Sequence, residues 1–105
     1  MITQADAEDA IQWIEDNARE AAVAKATLSY MQEYRRVVKA RLIHQAKGTV
    51  QEKESYALAH PDYEAHLDAT RTAEEKAEEY RNLMLHRRAK WDAWRSQESS
   101  RRINI

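Results

Sequence analysis

Apolar side chains recur along this chain at intervals of three, four and seven residues, the repeat that places them on one face of a helix. In the first half the stripe comprises Ile11, Ile14, Ala18, Ala21, Leu28, Met31, Val38 and Leu42, and Arg35 falls on the same seam. Thr3 is placed to cap this helix, with Asp6, Glu8 and Asp9 near its positive end. No breaker follows until Gly48, the residue expected at C′, so the pattern predicts one helix over about 4–47. Thr49-Val50-Gln51-Glu52 has the form of a capping box and predicts a short helix over about 50–59. His60 precedes Pro61 and so disfavours helical backbone, while Pro61 suits the first turn of a third helix. That helix is expected over about 61–97, followed by a flexible tail at 99–105. Tyr63, Thr70, Ala77, Met84 and Trp91 form one seven-residue series along it, and Ala73, Tyr80, Arg87 and Trp94 form the companion series.

These elements predict an all-α fold in one domain, a long antiparallel coiled-coil-like hairpin with a short connecting helix. If Lys47 lies near Pro61, facing residue numbers sum to about 108. Trp94 then meets Ile14, Arg87 lies near Ala21 within reach of Glu20, and Arg35 lies near Ala73 and Glu74. The expected seam, within the hairpin or between copies, is Trp13, Ile14, Leu28, Met31, Tyr80, Met84, Trp91 and Trp94.

Composition narrows the picture. The 105 residues include one Gly, one Pro, no Cys and no Phe, and a third are charged. Of the residues counted as hydrophobic, 18 are alanine. So few large apolar groups suit narrow helix–helix seams, and a lone hairpin is expected to associate with further copies into a bundle. The absence of cysteine excludes disulfides and thiolate chemistry and fits a reducing compartment. No segment resembles a membrane span or a signal-peptide apolar region, so a soluble, cytoplasmic protein is expected.

Charge adds polarity that the total of −1 conceals. Residues 1–20 carry six acids against Arg19, and residues 25–47 carry six bases against Glu33. Residues 52–80 hold nine acids against three bases, and residues 81–105 hold seven bases against Asp92 and Glu98. An antiparallel hairpin sets each acidic block beside a basic one, and charge compensation is expected to come from the neighbouring helix. A helix dipole does not explain blocks of about twenty residues, because its field acts only within the terminal turns.

Candidate chemistry is sparse. His60, Asp62, Glu64 and His66 lack the i,i+4 histidine pair of helical metal sites and read as an exposed helix start, and His44 and His86 read as surface residues. With no cysteine, glycine-rich phosphate loop or nucleophile elbow, neither catalysis nor a cofactor or metal is expected. The segment from Arg87 to Arg95, followed by Arg101 and Arg102, interleaves bases with Trp91 and Trp94. Such a mixture can engage single-stranded nucleic acid, cations meeting phosphates and rings meeting bases. The tryptophans are equally read as seam residues packed with Trp13 and Ile14, leaving the bases outside. A second basic and aromatic patch, Tyr30, Tyr34, Arg35, Arg36, Lys39 and Arg41, is expected to pair with the acidic 62–79 stretch.

The closing run from Lys90 to Arg101 (KWDAWRSQESSR) resembles the C-terminal signature of small helical proteins encoded by tailed phages and prophages. The turn Gly48-Thr49-Val50-Gln51-Glu52-Lys53-Glu54, Tyr56 and the start Pro61-Asp62-Tyr63 are similar to that group as well. The resemblance covers the layout of about residues 25–102 and implies a phage origin, a host-cytoplasmic site of action and a role near replication and recombination genes. It transfers no catalytic residue. One expected function is that of a non-enzymatic, oligomeric accessory protein of phage DNA recombination or replication. It would bind single-stranded DNA or a DNA-handling protein through Arg87, Arg88, Lys90, Arg95, Arg101 and Arg102, with Arg35 and Arg36. The alternative is a protein–protein adaptor or inhibitor of a host factor, acting through an acidic face at 6–20 or 64–79. A structural spacer in a virion would need only the rigid hairpin.

Overall fold

The computed structural model describes residues 1–103. They form three helices and no strand: α1 (Gln4–Gln45), α2 (Val50–Ala59) and α3 (Pro61–Ile103). The all-α expectation holds, and the chain reverses at the Gly48 turn. Each start has a local cause. At α1 the Thr3 hydroxyl accepts from the Asp6 N–H and the Asp6 carboxylate accepts from the Thr3 N–H, both at 3.1 Å. At α2 the Thr49 hydroxyl accepts from the Glu52 N–H at 3.1 Å. At α3 the Asp62 N–H donates to His60 Nδ1 at 3.0 Å, so a histidine serves as the cap.

Two boundaries differ from the expected ones. α1 stops at Gln45, and Gly48 lies further into the turn than C′, with φ +115°. A side chain at Gly48 would be strained by that backbone and would run into the Glu52 carboxylate. At the other end α3 continues through Ser99 to Ile103, where a frayed tail is expected. Arg101 reaches Glu98 at 3.6 Å, and Arg101 and Arg102 face the negative end of the helix dipole. Residues 104 and 105 lie outside the described residues.

The chain divides into two units, residues 24–77 and residues 1–23 with 78–105. In the first, α1 runs antiparallel to both α2 and the start of α3. Lys39 Nζ meets Glu54 Oε1 at 3.1 Å, and His66 Nε2 bonds the Met31 carbonyl at 2.8 Å. Facing numbers here sum to 97, not to about 108. The shift has a simple origin: α2 folds back along the last turns of α1, so Pro61 starts beside about residue 36 of that helix. Arg35 therefore sits near the start of α3 and away from Ala73 and Glu74. Leu42, at 2% exposure, is the one large side chain among the buried residues of this unit, with Ala24, Ala57 and Thr70. The Thr70 hydroxyl donates to the His66 carbonyl, which satisfies it in place.

In the second unit Arg87 covers the Trp13 ring at 5.1 Å, so facing numbers sum to 100. Arg87 accordingly meets Trp13 rather than Ala21 and Glu20. Ala7 and Ala10 are fully buried, and Ile11, Ile14, Asn17, Met84, Trp91 and Trp94 are half-buried. Burial thus falls at a three–four alternation on α1 (7, 10, 14, 17, 21) and on α3 (80, 84, 87, 91, 94). Asn17 takes the seam place expected for Ala18, which is exposed, and its amide donates to the Trp13 carbonyl at 2.8 Å.

Candidate nucleic-acid interface

The seam of residues 1–23 and 78–103 opens into a groove of about 370 Å³ lined by Ile11, Ile14, Met84, Leu85, Arg88, Trp91, Asp92 and Arg95. The helical repeat builds it: residues 84, 88, 91 and 95 lie at successive steps of four, three and four, and so share one side of α3. The opposing wall from α1 is Ile11 and Ile14, with no acid among the lining residues of that helix. Among the described residues neither Arg88 nor Arg95 forms a salt bridge, and both are exposed. The groove therefore has an apolar floor, a tryptophan edge and two unpaired guanidinium groups one heptad apart.

Trp91 packs against Trp94 at 5.4 Å with the ring planes 38° apart. Trp94 lines a second hollow of about 650 Å³, with Met1–Gln4, Ser96–Glu98, Ser100 and Arg101. The expected contact of Trp94 with Ile14 is thus replaced by one tryptophan in each hollow, Ile14 sharing the groove with Trp91. Trp13 is taken by Arg87 and lies outside both linings.

The eight expected nucleic-acid contacts separate accordingly. Arg88 and Arg95 meet in the groove, and Arg101 borders the neighbouring hollow while paired with Glu98. Arg102 is exposed near the helix end, and Lys90 is half-buried, its charge helping to hold the Asp6 carboxyl low. Asp6 lies below its ordinary value first through the Thr3 backbone hydrogen bond, then the Thr3 side chain, with Lys90 a smaller cause. Arg87 points into the seam, where its Nε is buried without a hydrogen-bond partner. Arg35 does the same in the other unit, and Arg36 is exposed there.

All eight expected seam residues are half-buried, none completely. Leu85 and Asp92 are groove residues that periodicity alone misses, because they lie one step off the seam. Their spacing from Arg88, three before and four after, is the signal that finds them.

The basic patch on α1 has other partners than the expected acidic 62–79 stretch. The Arg41 guanidinium donates to the Tyr34 hydroxyl at 2.7 Å and covers its ring at 5.6 Å, while Lys39 takes Glu54 of α2. The remaining pairs are local, Glu78–Arg81, Glu98–Arg101 and His60–Asp62. Among the described residues no salt bridge joins α1 to α3; opposite blocks meet across helices in the Lys39–Glu54 pair and in the pull of Lys90 on the Asp6 carboxyl. His60 and His66 are half-buried in structural hydrogen bonds and are not an exposed cluster; His44 and His86 are exposed. Among the described residues no group of three His, Cys, Asp or Glu is arranged to hold a metal, and no helix is long and apolar enough to cross a membrane. No protein-family model, curated protein or solved structure matches the chain.

Proposed function

We propose that this chain is a non-enzymatic helical accessory protein that binds single-stranded DNA along the Arg88–Trp91–Arg95 groove, in the phage replication or recombination setting its C-terminal motif suggests. The observation that carries the reading is the groove itself: two unpaired arginines flank a half-buried tryptophan above apolar side chains. Arginines there neutralise phosphates, and the Trp91 edge with Met84 and Leu85 receives a base that a duplex would keep stacked. Asp92, between the two arginines, disfavours continuous phosphate and favours an exposed base edge at that point. Arg101 and Arg102 extend the cationic path toward the helix end.

The test is fluorescence anisotropy with labelled single- and double-stranded oligonucleotides at low and physiological salt. Tighter binding of the single strand is expected, with affinity falling as salt rises. The Arg88→Glu/Arg95→Glu protein should lose most of it, and Arg36→Glu should not. Absence of binding at low salt, or binding indifferent to the double change, would overturn the assignment. A nuclease-resistant partner recovered from host lysate would then favour the adaptor reading.

A further inference from the structure

We propose that Asp92 makes the groove selective for guanine, its carboxylate accepting hydrogen bonds from the N1–H and the exocyclic amino group of that base. The inference deepens the single-strand reading above and rests on it.

Helical spacing orders the α3 side of the groove. At about 100° per residue, Met84 and Trp91 turn toward α1, Arg95 and Arg88 come next, and Asp92 and Leu85 stand at the outer lip. Burial follows the same order: Met84 and Trp91 are half-buried, whereas Leu85, Arg88, Asp92 and Arg95 are exposed. A base lying on the apolar floor beside Trp91 therefore turns its outer edge toward Asp92 and the arginines. Arg88 and Arg95 occupy the i−4 and i+3 places from Asp92, from which a helix ordinarily closes an ion pair. Among the described residues Asp92 nevertheless forms no salt bridge, and neither arginine does. All three charged groups stay open to one ligand.

The order of donors and acceptors selects the base. An ionised carboxylate only accepts, and a guanidinium only donates. Guanine carries two adjacent donors on its pairing edge, N1–H and the N2 amino group, with the O6 acceptor next to them. Cytosine and adenine set an acceptor beside their one amino group, and thymine sets its single N–H between two carbonyls. Each of those three turns a lone pair toward the carboxylate. Asp92 on N1 and N2, with Arg88 or Arg95 a turn away on O6, matches guanine alone and leaves the second arginine for the adjoining phosphate. Pairing occupies the same guanine atoms in a duplex, so the contact requires a single strand. A track for phosphates alone gains nothing from an acid at its centre.

The test is fluorescence anisotropy with short labelled thymidine strands that carry guanine, hypoxanthine or thymine at one central place. The guanine strand should bind about five- to tenfold tighter than the thymine strand, the lower end of what a well-placed base contact gives. Hypoxanthine, which lacks only the N2 amino group, should lose part of that gain. Asp92→Ala should erase the difference between guanine and hypoxanthine and tighten binding of the thymine strand, because a like charge beside the phosphates is gone. Helicity should be unchanged by circular dichroism, since the side chain is exposed. Equal binding of the three strands, or a guanine preference that persists in Asp92→Ala, would overturn this inference and leave strand binding standing. No salt-sensitive binding of any strand would overturn both.

Discussion

Replacing Arg87 by leucine is expected to stabilise the protein. Arg87 occupies a seam position in the heptad series of α3, where leucine fits without change of pattern. Its Nε is buried and makes no hydrogen bond, a defect that ordinarily costs about 1–3 kcal/mol. Against this stands the contact of its guanidinium with the Trp13 ring at 5.1 Å. With the residue only half-buried, that contact is worth about 0.5–1 kcal/mol. Leucine removes both, and its side chain replaces the apolar stem that arginine already lays along the seam. The balance favours leucine by about 0.5–2 kcal/mol, which for a domain of this size raises Tm by roughly 3–10 °C.

Thermal and urea unfolding followed by circular dichroism measure the effect. A double-mutant cycle with Trp13→Ala isolates the ring contact and should give a coupling of about 0.5–1 kcal/mol. A leucine variant less stable than the parent would refute the reasoning, because the ring contact would then outweigh the unpartnered N–H. The variant also separates seam from groove: it should keep the oligonucleotide affinity that Arg88→Glu/Arg95→Glu loses.

Three further outcomes are expected. Leu42→Ala, at a 2% exposed site, should cost about 2–5 kcal/mol in urea unfolding and lower amide protection most within residues 24–77. Gly48→Ala should destabilise by about 1 kcal/mol or more, since φ +115° strains an alanine and the Glu52 carboxylate must move; unchanged stability would mean the turn relaxes freely. Asp6 should titrate below the ordinary carboxylate value by NMR. A lowered folded-state pKa makes its contribution complete above the unfolded value and lost as pH falls through the folded one, so Asp6→Asn should remove that acid-limb dependence.

How much the sequence reveals depends on whether a feature is local. Thr3, Thr49 and Pro61 announce their helix starts because a cap or a missing N–H acts within one turn. Tyr63, Thr70, Ala77, Met84 and Trp91 share a face because seven residues make nearly two turns. The register was not legible in that way. It depends on α2 folding back along α1, and in the structure that course is marked by the Lys39–Glu54 contact between residues fifteen apart. An error of about ten residues in the facing sum then misplaces each cross-helix pair, which is why Arg87 was expected beside Glu20 and stands over Trp13. The groove follows the same rule. Its α3 side was legible as Arg88, Trp91 and Arg95 and its α1 wall as Ile11 and Ile14 of the apolar stripe, but Leu85 and Asp92, one step off the seam, were not.

The charge blocks carry the same lesson into function. Lys90 acts on the Asp6 carboxyl from across the seam, but the opposite blocks of α1 and α3 share little close contact. Among the described residues the salt bridges across helices reduce to Lys39–Glu54, and the seams tolerate two arginines with buried, unpartnered Nε groups. Exposed pairs contribute little to stability, so alternating blocks add little to an isolated hairpin. They matter where a second surface arrives, because opposite charge then sets orientation and like charge rejects the wrong one. Arg88 and Arg95, beside an α1 wall without acids, suit a polyanion. Charge reversal at Arg88 and Arg95 should therefore abolish oligonucleotide binding and leave helicity unchanged.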